Sequence, residues 1–340
     1  MPRCDEAVPI FFGRDVSAMR ARDRERWIAT AFEYWRRRGF PYPRYSASIA
    51  HREIRLLEAI DSSRLREVLS RPSMVGLRTA NSFHPQMWSA RVRGRSPVEC
   101  FRDDRILRKC LGRAVDFWPD RRCWNARSVR ILVSIQNRGR VSNFRPSVAR
   151  ALIHAFAPAK GRVVDFSAGY GGRLLAALTS ECEYVGVDPA RAQCRGLRRM
   201  AKTLGGRASI ICGCAEDVLP TVRSRSVDLV FSSPPYFRLE KYSKETSQAW
   251  RRHQTYDRWL FGFLEPVLAE CHRTLKTNGH LLLNVANIAT HPIANDALRI
   301  ARDIFGAPNR TFHMAMSTNP ADKARRGKLL RTEPIFVFRK

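Results

Sequence analysis

No apolar run in the sequence approaches the ~18 residues that read as a membrane span, and the opening MPRCDEAVPIFFGRD lacks the basic-then-apolar order of a secretory signal. The expectation is a chain that neither enters nor crosses a membrane. Acid is also scarce: 31 Asp and Glu face 61 Lys and Arg, a formal charge of +30. That imbalance argues against a protein substrate and for a polyanion, nucleic acid first and an anionic membrane surface second. Codon usage explains Arg over Lys, but not a two-to-one excess of base over acid. The nine cysteines are scattered singly apart from Cys212 and Cys214, and no Cys/His quartet has zinc spacing. A reduced chain without a metal is expected. No Gly-Lys-Ser/Thr follows a glycine turn, which excludes a phosphate-binding P-loop, and no internal repeat or low-complexity linker interrupts the N-terminal part.

Two textures are present. Up to about residue 140 the pattern is mainly helical, clearest in RARDRERWIATAFEYWRRRGF, where Trp27, Ile28, Ala31, Phe32 and Trp35 recur at helical spacing and Gly39 with Pro41 ends the run. These rings read as core. Residues 1–140 hold 30 basic against 15 acidic residues, half the excess in less than half the chain. GLRTANSFHPQMWSARVRGRSPVECF reads as irregular or mixed. From about 140 short apolar strands (RVVDF, YVGVD, ASIIC, VDLVFSS, HLLLNV) alternate with helical stretches, the pattern of a parallel sheet covered on both faces. RTFHMAM and EPIFVFRK read as an antiparallel pair closing one edge.

The first strand runs into VVDFSAGYGGRLLAAL, where Ser167, Ala168, Gly169, Gly171 and Gly172 form a tight turn that lets backbone approach a ligand. Asp165 precedes the glycines and Asp188 ends the second strand about 20 residues later, where an acid is placed to bind ribose hydroxyls. The glycine spacing is not GxGxxG. After the fourth strand comes SSPPY, Ser232 to Tyr236, at the strand end where such sheets keep their crevice. Tandem prolines forbid helix and ladder alike, so the corner is stiff.

With the third loop, CGCAEDVLP, these residues resemble the cofactor-binding half of the class I S-adenosylmethionine-dependent methyltransferases. The resemblance implies a Rossmann-like α/β fold over residues 141–340, S-adenosylmethionine as cofactor, and the ribose on Asp188. It places an acid in the third loop against adenine. This sequence has Cys214 there, leaving Glu216, Asp217 or backbone for the contact. Ser233-Pro234-Pro235-Tyr236 resembles the (Asp/Asn/Ser)-Pro-Pro-(Tyr/Phe) motif of the DNA amino-methyltransferases. The implied reaction is methylation of an exocyclic base amine, with Ser233 and the Pro234 carbonyl accepting its hydrogens, Pro235 stiffening the corner and Tyr236 stacking on an extruded base. Serine at the first position is nearer the cytosine-methylating members than the adenine ones. Carbon methylation needs a Pro-Cys at this strand end, and there is none.

A cytoplasmic, nucleoid-associated enzyme acting on DNA follows, of the kind found in restriction-modification systems. RNA is the alternative substrate, and an inactive nucleic-acid-binding fold a further one. Asn143 to Pro146 match the segment that closes over the methionine end of the cofactor in that family. Target recognition is expected in residues 1–140, in the polar FRLEKYSKETSQAWRRHQTYDRW after Tyr236, or in STNPADKARRGKLLRTE before the last strand.

Overall fold

The computed structural model describes residues 21–92, 94–117, 125–136, 141–316 and 332–340. The sequence-predicted N-terminal reading frame MPRCDEAVPIFFGRD and nearly all of STNPADKARRGKLLRTE lie outside them.

The chain forms two compact units. One comprises residues 1–44, 85–142 and 240–242; the other comprises residues 45–84, 143–239 and 243–340. In the first unit helix Ala21–Arg38 presents Ala31, Phe32 and Trp35 to a core shared with Phe101, Leu107, Leu111 and Leu132 from helices Pro97–Arg102, Asp104–Phe117 and Ala126–Ile135. Trp27 and Ile28 are partly buried against it. Gly39, at φ 78°, ends the first helix and donates to the Trp35 carbonyl at 2.9 Å. A left-handed residue after a helix is the position that glycine fills without a Cβ clash. Ser96 and Glu99 form a reciprocal capping box on Pro97–Arg102. Arg91–Val92 pair antiparallel with Glu240–Lys241.

The second unit is built on a seven-stranded sheet: β1 Arg162–Asp165, β2 Glu183–Asp188, β3 Ala208–Cys212, β4 Val227–Ser232, β5 Leu275–Asn284, β6 Arg310–Ala315 and β7 Thr332–Arg339. The order is β3-β2-β1-β4-β5-β7-β6. Strands β1 to β5 pair in parallel, and β7 runs antiparallel between β5 and β6. The α/β fold with a C-terminal antiparallel pair is the one implied by the sequence, with β6 at the edge.

Alternate residues of these strands serve two cores. Val163, Leu229 and Leu282 pack on one face with Leu152, Leu175 and Leu197; Val164, Val230 and Leu281 pack on the other with Leu268, Cys271 and Ile300. A parallel sheet so covered needs apolar residues at consecutive positions, as RVVDF and HLLLNV have.

The boundary read near residue 140 does not coincide with the compact units. Leu57, Leu65, Leu69, Ala80 and Phe83 belong to the same core as Val163 and Leu175, so residues 45–84 pack with the sheet unit.

The chain order of the strands reverses between β1 and β4, and ligands of such sheets bind outside the carboxyl ends at that point. Beside it, a Cβ on Gly172 would lie 2.0 Å from the Phe144 carbonyl oxygen. Replacing Gly172 by Ala should therefore destabilise the unit, by about 1–3 kcal/mol as overpacking does. Gly112→Ala, inside a helix with only Ile28 Cδ1 at 3.8 Å, should stabilise by about 0.5–1 kcal/mol. Urea denaturation of both variants checks the contrast.

Candidate active site

The turn after β1 is shaped by backbone signs that glycine permits. Gly169 and Gly171 have φ 54° and 77°, values that cost an ordinary residue strain. A Cβ on Gly169 would find nothing nearer than the Ser167 carbonyl at 3.8 Å, whereas one on Gly171 would press on Met200 and Leu197 at 3.0 and 3.1 Å. The open side of the turn is thus at Gly169. Gly172 donates to Asn143 Oδ1 at 3.0 Å, and Asn143 Nδ2 donates to the Tyr170 carbonyl at 2.8 Å. The segment around Asn143 and Phe144 therefore buttresses the turn, and Pro146 begins the helix behind it. Arg145 donates to the Pro72 carbonyl at 2.8 Å.

Asp165 is fully buried and its carboxylate is occupied by protein donors. Arg173 reaches it with Nε at 2.6 Å and Nη2 at 3.1 Å; the Tyr184 and Ser232 hydroxyls each donate at 2.8 Å and the Ser167 amide at 3.2 Å. Both of its oxygens are taken up by these donors. Ala168 is tied to β2 through a bond from its amide to the Val187 carbonyl at 2.9 Å.

Asp188 accepts from the Gly169 and Ala190 amides, each at 2.9 Å, one on each oxygen. Burial outweighs those two donors and raises its pKa to about 7. A carboxylate held by backbone, short of charge partners and next to an open glycine turn has the chemistry to accept two hydroxyl donors. The residues present fit the ribose and methionine parts of S-adenosylmethionine.

In the third loop, Glu216 and Asp217 turn to another segment. Asp217 pairs with both terminal nitrogens of Arg252, and Glu216 forms an ion pair with Arg252 Nε at 3.3 Å and faces His253 Nε2 at 3.0 Å. Cys214, which caps helix Ala215–Val218, donates to the Ser247 carbonyl at 3.4 Å. Ser247 Oγ in turn donates to the Pro189 carbonyl at 3.2 Å, and the Arg191 amide donates to Glu245 at 3.2 Å. Residues 245–253 thus strap the loops after β2 and β3 together. The polar segment after Tyr236 carries the short helices Ala249–Arg252 and Tyr256–Trp259, the second with Trp259 fully buried.

Ser233, half-buried, lies at the carboxyl end of β4. Its hydroxyl donates to Asn284 Oδ1 at 3.0 Å, at the end of neighbouring β5, and accepts from Arg173 Nη1 at 3.2 Å. The Asn284 amide nitrogen donates to the Pro334 carbonyl at 3.1 Å, which fixes which end of the amide faces Ser233. The serine proton is therefore spoken for, and what the oxygen offers outward is a lone pair. No described residue donates to the Pro234 carbonyl. Tyr236 is half-buried, and Phe237 follows at φ 49° with its ring among Tyr256, Trp259 and His291. A positive φ at a bulky residue is strained and persists where surrounding packing imposes it.

Arg173 and Asn284 were missed by motif reading. Their signals were a charged residue in the apolar run GGRLLAAL and an amide at the carboxyl end of HLLLN, both unusual for positions so buried. Among the described residues no cluster could hold a metal ion, and no helix is long and apolar enough to cross a membrane.

The sheet unit is Rossmann-like, with a glycine turn after β1 and a proline corner after β4 on either side of its switch point. Comparison with known families narrows this. Residues 227–340 match the N6/N4 DNA methylase family, described as DNA methylase, and the resemblance to the DNA amino-methyltransferases is borne out there. The chain is 39% identical over 75 residues to the DNA adenine methyltransferase YhdJ of Escherichia coli, covering 22% of this chain and 24% of that protein. It is 32% identical over 84 residues to the type II beta methyltransferase M.BslI of a Bacillus species, 25% of this chain and 8% of that protein. It thus spans about a quarter and less than a tenth of the lengths of these relatives. Among solved structures it is similar to a methyltransferase of Agrobacterium tumefaciens (16% identity, 57% of this chain and 60% of that chain, TM-score 0.42) and a putative RNA methyltransferase of Pyrococcus horikoshii (15%, 57% and 82%, 0.38).

Removing one partner from a buried ion pair leaves the other charge uncompensated. Asp165→Ala should therefore cost about 3–5 kcal/mol of stability, read by urea denaturation, whereas Asp217→Ala, at a surface pair, should cost at most about 1 kcal/mol.

Proposed function

We propose that the protein transfers a methyl group from S-adenosylmethionine to the exocyclic amine of a base in DNA, cytosine before adenine, by direct displacement on a base turned out of the helix. The observation that carries this reading is the acceptor corner: Ser233 Oγ with its proton committed to Asn284, beside the Pro234 carbonyl, at the carboxyl end of β4. An exocyclic amine is a poor nucleophile because its lone pair is delocalised into the ring. Two fixed acceptors hold its hydrogens and aim the nitrogen, without reorganisation as charge develops. Bound S-adenosylmethionine supplies a methyl group on a sulfonium sulfur. The open turn at Gly169 takes the methionine part and Asp188 accepts the ribose hydroxyls. Ser167, Ala168, Gly171 and Gly172 hold the turn in shape, and Asp165 acts from behind it. With Glu216 and Asp217 engaged by Arg252 and His253, adenine contact falls to the backbone of the third loop.

Tyr236 offers a ring for the extruded base, and stacking of this sort is worth about 1–3 kcal/mol per base. Serine at the motif's first position favours cytosine, while the likeness to an adenine methyltransferase favours the other base. Net charge +30 suits either DNA or RNA. Target recognition is assigned to the unit containing helix Ala21–Arg38, and a partner nuclease would make the protein the modifying arm of a restriction-modification pair.

In a transfer assay with labelled S-adenosylmethionine and competing duplex DNA and structured RNA, label should enter DNA. Ser233→Ala should lower transfer at least tenfold while cofactor binding survives; a variant as active as the parent would sink the assignment. Cofactor affinity should also rise with pH. The ribose-accepting form of Asp188 is the anion, and its pKa is about 7; from pH 6 to pH 8 binding should tighten by about tenfold. Calorimetry reads this, and Asp188→Asn should bind weakly and with little pH dependence.

A further inference from the structure

We infer that Arg173 is a positioning residue for methyl transfer: its guanidinium, neutralised by Asp165, holds the Ser233 hydroxyl so that one oxygen lone pair faces the substrate amine. The inference rests on the function proposed above and adds a residue outside the cofactor turn and the Ser233–Tyr236 corner.

Arg173 stands at the second position of helix Gly172–Leu178, with its side chain only 6% exposed. Three of its contacts point back into the turn, through Nε and Nη2 to Asp165 and Nη2 to the Ser167 carbonyl at 2.7 Å. The remaining nitrogen, Nη1, reaches Ser233 Oγ at 3.2 Å. The Phe144 and Phe231 rings lie 5.4 and 5.8 Å from the guanidinium carbon. A planar fork gripped on these sides cannot follow a drifting partner, so Ser233 is held to it. Lysine, a point charge on a flexible stem, has no such fork and cannot serve Asp165 and Ser233 together.

A serine hydroxyl has one proton and two lone pairs. The proton goes to Asn284, one lone pair to Arg173, and a single lone pair is left. Two anchors fix the side-chain rotamer; with one removed, the oxygen swings among staggered positions. The serine oxygen turns about the single Cα–Cβ bond, and Arg173 with Asn284 stops that rotation.

Charge fits the same role. The attacking nitrogen becomes more positive as its bond to carbon forms, and a bare guanidinium nearby would oppose that. Paired to Asp165 in a buried ion pair, Arg173 orients Ser233 while adding little net field. Its burial keeps it from the substrate, so it acts through Ser233.

The test is a double-mutant cycle on the full chain with DNA as methyl acceptor, using the parent, Arg173→Lys, Ser233→Ala and the double variant, with kcat, KM for DNA and the Kd of S-adenosylmethionine measured for each. Arg173→Lys is expected to lower kcat tenfold or more while Kd and KM stay within about threefold of the parent, and the double variant should be no slower than Ser233→Ala alone, as for two groups acting as one unit. Losses that multiply, or a variant whose Kd rises while kcat holds, would show a role confined to the cofactor turn and overturn the inference. Should Arg173→Lys fail to fold, Asn284→Ala loosens the hydroxyl at its other anchor: lowered kcat at unchanged Kd supports the rotamer argument, and unchanged kcat overturns it. A parent that methylates no nucleic acid overturns the functional reading and this inference together, whereas an active parent matched by Arg173→Lys overturns the inference alone.

Discussion

The buried pair of Asp165 and Arg173 is the interaction on which the rest of this architecture depends. Taking two charges out of water costs several kcal/mol per ion, and their attraction offsets this only when the remaining hydrogen-bonding capacity is also met. Here it is met from every side: Tyr184 from β2, Ser232 from β4 and Ser167 from the turn all donate to the same carboxylate. The penalty of an unmet donor ties the carboxyl ends of β1 and β4 together and, through the Tyr184 side chain reaching from the start of β2, joins a third strand to them. What looks like a stability device is at once a ruler for the crevice.

From that anchor the site divides its work. Asp188 is set apart from any cation and held by two amides, so burial can raise its pKa to about 7 without costing the fold its anchor. The third loop is sealed by Arg252 and His253, which places residues 245–253 across the loops after β2 and β3. The corner after β4 takes its rigidity from prolines, from the strained Phe237 and from the Ser233–Asn284–Pro334 chain. Each group is fixed by a different element, so the corner after β4 can be stiff while the turn at Gly169 stays open.

Much of this was legible in the sequence. Strand positions followed from consecutive apolar residues, the turn from its glycines, and the corner from tandem prolines, because each of these is a local steric constraint. The place of Asp165 beside the glycines was legible but its partners were not: only the fold reveals that Arg173, Tyr184 and Ser232 converge on it. The pairing of Glu216 and Asp217 with Arg252, which lies 35 residues from Asp217 in the chain, is one that sequence spacing does not disclose. The packing of residues 45–84 with the sheet escaped notice for a related reason, since an amphipathic helix does not state which core its apolar face joins.

The central claim is that a fixed acceptor corner presents a base amine for methylation, and nucleoside mass spectrometry tests it most directly. DNA from cells producing the protein would be digested and compared with DNA from cells producing Ser233→Ala. The account predicts a base methylated on its exocyclic nitrogen, 4-amino on cytosine or 6-amino on adenine, with the parent only. A methyl group on ring carbon, or the same modification in both samples, would contradict it.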